Sequence, residues 1–191
     1  MTGNVSLWAS KMSAMQRTDL DQNPIVLHRL KAPDPGNRHE FTVRRFSDDH
    51  GLLVRLRGLA VAEVGSVSII EHVCRLSDIP FPDVTFHGRR GPHTGFCQAP
   101  RDHYVLLHGE DSIQGWERTK GRRLPENGMI RLGRMSSLAT IAHECGHHLV
   151  HHQEAAQVAS HGKVWVRWFD AAAHGISDWL DGSGIAFDSE L

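Results

Sequence analysis

Cysteine is scarce in this chain. Only Cys74, Cys97 and Cys145 occur in 191 residues, an odd number without paired spacing, which argues against a disulfide framework and for a reducing compartment. Net charge is almost absent too, at −1 near neutral pH, so there is no global field to draw the chain to nucleic acid. No apolar run approaches the ~20 residues that a membrane-spanning helix needs. The first eleven residues, Met1 to Lys11, lack the basic start and apolar stretch of a secretory signal. Internal repeats and low-complexity tracts are missing as well. The expectation from these absences is one cytoplasmic domain without a membrane partner. With 40% hydrophobic and 23% charged residues, its composition suits a globular protein long enough to build a core.

Histidine, by contrast, is abundant, with 15 copies. Five consecutive residues carry most of the functional signal: His143-Glu144-Cys145-Gly146-His147 spells H-E-x-x-H. Residues four apart on a helix share a face, so both imidazoles can reach one metal ion while Glu144 reaches a water beside it. In a chain this rich in histidine a bare match is weak, and the surrounding residues strengthen it. Ser136 or Ser137 offers an N-cap. Leu138, Ile141, Ala142, Cys145 and Leu149 recur at helical spacing as an apolar stripe. On a helical wheel His147 lies about 40° from His143, whereas the stripe clusters at 160–260°. The ligand face and the core face are therefore separate. By the same wheel His148, His151 and His152 point away from the metal face, as surface residues or as partners that orient a ligand.

The third ligand expected is His161, in His161-Gly162-Lys163-Val164-Trp165. A gap of 14 residues from His147 suffices to end the first helix near Val158, turn, and bring a histidine back. Val164, Trp165, Trp168, Phe169 and Ala172 then continue as an amphipathic second helix packing on the first. Other schemes fit less well. A metzincin needs Gly and His where the chain has Val150 and Gln153. A thermolysin-like carboxylate has only Glu154 to draw on, on the same helix. Asp170 and Asp178 have no supporting motif, and Cys97 lacks the flanking strings of a peptide deformylase.

H-E-x-x-H followed by a His-Gly pair and an aromatic three residues beyond the Gly resembles the SprT-like zinc metallopeptidases, closest to a group of small bacterial and phage metallohydrolases. The resemblance spans about residues 52–175. Its upstream parts are Val84 to Gly91, similar to a strand ending in an Arg-Arg-Gly turn, and Gly128 to Leu132, similar to the strand before the metal helix. It implies one zinc ion held by His143, His147 and His161, with Glu144 as catalytic base.

The fold expected is α+β and zincin-like: a short three- to four-stranded sheet packed on the metal helix and flanking helices. Residues 1–50 read as an N-terminal extension, 51–180 as the catalytic domain and 181–191 as a tail. Within the extension, 1–20 suits a short helix, 31–39 a Pro/Gly-marked loop and Phe41–Phe46 a strand. Leu52 to Leu76 reads as one helix, and strands are expected near 83–87, 103–108 and 129–132. Three neutral imidazoles leave zinc a fourth position for water, whose proton loss moves to near pH 7. Glu144 would take that proton, and Tyr104, His93 or His174 could partner the carbonyl oxygen. Should Met129–Leu132 be an edge strand, an extended polypeptide substrate could pair with it. A small amide or ester is the alternative substrate, and a metal-stabilised binding module without turnover the alternative role. The stretch Glu117–Arg123 is the one basic patch offering nucleic acid a contact, although a basic loop of this kind is usually just a solvated connection.

Overall fold

The computed structural model describes residues 25–30, 49–88, 94–154, 158–159, 161–182 and 186–188. The helix expected within 1–20, the loop at 31–39, the strand at Phe41–Phe46 and the Arg89-Arg90-Gly91 turn lie outside them.

The architecture is α+β. In chain order the elements are β1 (Val26–Arg29), α1 (His50–Arg57), β2 (Leu59–Ala62), α2 (Glu63–Leu76), β3 (Asp83–His87), β4 (Gly95–Gln98), α3 (Arg101–His108), α4 (Glu110–Lys120), β5 (Met129–Gly133), β6 (Met135–Ser137), α5 (Leu138–Gln153), α6 (Lys163–Gly182) and β7 (Ala186–Asp188). Two small sheets replace the single one expected. One has the order β6-β2-β1-β7 and the other β3-β5-β4. In the first, β1 pairs antiparallel with β2 and parallel with β7. In the second, β5 pairs parallel with β3 and antiparallel with β4.

Three further expectations are corrected. The run Leu52–Leu76 is two helices with a strand between them, because the chain leaves α1 at Gly58 and the apolar Leu59-Ala60-Val61 is buried as a sheet strand. Residues 103–108 form helix α3 rather than a strand. Pro100 at its N-cap has a φ of −64° that suits helix entry, and Gly109, at φ +82°, ends it. Helix α5 stops at Gln153 instead of near Val158.

The core lies where both sheets meet α5 and α6, which pack on each other more extensively than any other pair of elements. Leu138, Ile141, Ala142, Cys145 and Leu149, the stripe read from the sequence, are all buried there. They meet Ile69, Ile70 and Val73 of α2, Ile130 and Leu132 of β5, and Trp165, Phe169 and Ile176 of α6. Gly146 permits the closest approach of the two helices. A β-carbon there would lie 3.0 Å from the backbone Cα of Phe169.

Candidate metal centre

Helix α5 begins at Ser137, whose hydroxyl oxygen accepts a hydrogen bond from the Thr140 amide at 3.1 Å. Its start fixes the rotation of everything after it. With the apolar stripe turned into the core, His143 and His147 are left half-buried on the opposite flank. The α5–α6 connection returns His161 to the same point. The three Nε2 atoms lie 3.2 Å (His143–His147), 3.0 Å (His147–His161) and 3.2 Å (His143–His161) apart. They form the one group of three or more metal-capable side chains among the described residues. A tetrahedral ion about 2.0–2.1 Å from each nitrogen requires nitrogens about 3.3 Å apart, so the triangle matches within a few tenths of an ångström.

His161 reaches this point in a left-handed backbone conformation, with φ +61°. For a residue with a β-carbon that costs roughly 1–2 kcal/mol and persists only where the surroundings hold it. Behind the imidazoles stands Trp165, 1% exposed. Its ring centroid lies 4.8, 5.3 and 4.6 Å from those of His143, His147 and His161, and 5.4 Å from that of Phe169.

Glu144 is buried beside the triad, and burial raises its carboxyl to a pKa of about 8. It lies against the backbone of β4, where a β-carbon on Gly95 would meet Glu144 Oε1 at 2.5 Å. The absence of a side chain at 95 thus makes room for the carboxylate. A cleft of about 440 Å³ opens over His143, His147 and Glu144, bounded by Gly95, Phe96 and Cys97 of β4, Tyr104 of α3, and Val150, His151 and Trp165. Cys97 is held as a thiol by burial.

Of the three expected partners for a carbonyl oxygen, Tyr104 borders the cleft, His174 is exposed on α6, and His93 lies outside the described residues. The edge-strand expectation is corrected as well. Met129–Gly133 is β5, the centre of its sheet, and the strand beside the cleft is β4, which among the described residues pairs only with β5. Nor is His148 a surface residue. It is 1% exposed, with Nε2 2.9 Å from the Pro80 carbonyl, and burial lowers its pKa to about 4. His151 borders the cleft against the His103 ring, 4.7 Å away between centroids, and burial lowers its pKa to about 4 also. Glu154, Asp170 and Asp178 do not join the triad.

Sequence reasoning missed Gly95 and Phe96. The available signal was a glycine opening a short apolar run, which marks close backbone approach in a strand. Comparisons of the chain with protein-family models, with curated proteins and with solved structures find no significant match.

Proposed function

We propose that the chain is a zinc-dependent, zincin-like hydrolase of the SprT-like kind, and that it cleaves peptide bonds. The observation that carries this reading is the convergence of three imidazole nitrogens beside a buried carboxylate, with His143, His147 and Glu144 lining an open cleft. Imidazole donors suit several first-row metals, and three of them in near-tetrahedral disposition with an open fourth position favour zinc. When bound there, the ion would supply Lewis acidity and lower the pKa of water at its open position.

The chain's own groups then do the rest. His143, His147 and His161 hold the ion, and the indole of Trp165 backs all three rings. Glu144, adjacent to the triad, takes the proton of the attacking water and passes it to the leaving amine. Its burial holds the proton strongly in the metal-free protein, and a divalent cation alongside favours the carboxylate. A purely structural metal site needs no such carboxylate. The β4 edge supports a polypeptide substrate: an extended chain laid beside Gly95–Gln98 can pair with its backbone while crossing the triad. Phe96, 52% exposed on that strand, offers an apolar contact to the substrate's side chains.

Metal analysis tests the ligand set. One zinc per chain is expected, with substantial loss in each of the His143→Ala, His147→Ala and His161→Ala variants. Full zinc content in His161→Ala would remove that residue from the site. Loss of casein cleavage on chelation and its return with zinc would support the hydrolase, whereas zinc binding without turnover would leave a binding module.

A further inference from the structure

The connection between α5 and α6 must deliver one imidazole to the metal centre, and a single carboxylate ties its two ends together. Glu154 caps the C-terminus of α5, its amide donating to the Val150 carbonyl at 3.0 Å. Its Oε1 accepts from the Trp168 indole N–H at 2.7 Å and from the Arg167 guanidinium. Arg167 in turn lies over the Trp168 ring, 5.0 Å from its centroid. Both partners sit in the second turn of α6, and His161 falls between the anchor points, two residues before α6 begins.

Local backbone preference does not hold His161 in place, because its φ of +61° is unfavourable for a residue with a β-carbon. Within the loop, the described backbone bonds are Gly162 N–H to Ala159 O at 3.1 Å and Val166 N–H to Gly162 O at 3.0 Å. Neither joins the connection to α5. The Glu154 carboxylate does.

We propose that Glu154 is a positioning residue for the third metal ligand: by tying the end of α5 to Arg167 and Trp168, it holds His161 against His143 and His147. The inference rests on the reading of the triad as a metal centre. Without the tie, His161 gains freedom that metal binding must remove again, so the cost falls on affinity for the ion. The Trp168 bond carries more of the effect than the ion pair. It is part-buried, whereas the Arg167 side chain is 64% exposed and its charge is screened by solvent.

The experiment is a zinc-affinity measurement on the full chain by competition with a chromophoric chelator. Glu154→Ala is expected to weaken zinc binding about 10- to 100-fold, the range for removing a group that orients a metal ligand. Glu154→Gln retains an oxygen acceptor for the indole and should recover most of the affinity, while Trp168→Phe should lose part of it. In a His161→Ala background, Glu154→Ala should add nothing, because the residue through which it acts is gone. Wild-type affinity in Glu154→Ala, or an equal loss in the His161→Ala background, overturns the positioning role. Should Glu154→Ala fail to fold, Trp168→Phe decides by the same two comparisons, wild-type affinity or an equal loss in the His161→Ala background overturning the role. Absence of zinc binding by the wild type, or wild-type binding by His161→Ala, is a separate result that removes the metal-centre reading itself.

Discussion

Two residues outside the triad, Gly95 against Glu144 and the buried His148, each carry a test on a single side chain. Gly95 is tested by adding one methyl group. Gly95→Ala places a β-carbon 2.5 Å from Glu144 Oε1, so the carboxylate has to swing away. Zinc content should persist while peptide cleavage falls by about 100-fold, the lower end of the range of about 10²–10⁴ for a positioned general base. Unaltered cleavage in that variant would place Glu144 elsewhere during turnover. His148 is tested by acid. Its folded pKa of about 4 lies below the unfolded value near 6.5, so the unfolded chain takes up a proton that the folded chain refuses. Stability should therefore fall as pH drops from 6.5 to 4 and level off below, by about 3 kcal/mol from this group. Denaturant titrations in chelator should give a shallower decline between pH 6.5 and 4 for His148→Gln than for the wild type. Parallel curves would contradict the assignment.

Helices α5 and α6 form the element on which the centre depends, and Trp165 is its keystone. With the ring packed on three imidazoles and on Phe169, Trp165→Ala should cost about 3–5 kcal/mol and lower zinc affinity along with it. The indole N–H has no partner among the described residues, so the loss is one of packing. Melts with and without chelator test this: an unchanged melting temperature with lost activity would move Trp165 into a substrate-binding role. At this scale the sequence was legible wherever periodicity was long. Sixteen residues of α5 and twenty of α6 give several turns of apolar recurrence, and Ser137 marks the first start. Five-residue β3 and β5 were read at their observed positions, but β2, β4 and α3 were not legible. Four-residue β2 and β4 are too brief for alternation to register, and eight-residue α3 carries apolar pairs that also suit a strand. Its boundaries at Pro100 and Gly109 were the better guide.

Across the described residues, two small sheets and a helix pair frame a cleft lined by His143, His147 and Glu144, with His161 in contact with both histidines. The histidine cluster could be read from spacing because the 3.6-residue period fixes His143 against His147, and because His161, alone outside the first helix, directly precedes the second amphipathic one. The substrate-facing wall could not. Gly95 and Phe96 join it through the pairing of β4 with β5, a strand distant in sequence, and the glycine opening that short run was the only local sign of it. His148 was misread because the wheel angle located its face but not the Pro80 carbonyl waiting there. No described helix is long and apolar enough to cross a membrane.

The account rests on Glu144 acting as a base beside a metal held by three other residues. Its most direct test is casein cleavage by the zinc-loaded wild type and by Glu144→Gln, with zinc counted in both. The variant keeps the size of the side chain and cannot accept the proton. The predicted result is one zinc per chain in each protein, with cleavage at least about 100-fold slower in Glu144→Gln. Equal cleavage by the two proteins, or loss of zinc from the variant, would contradict it.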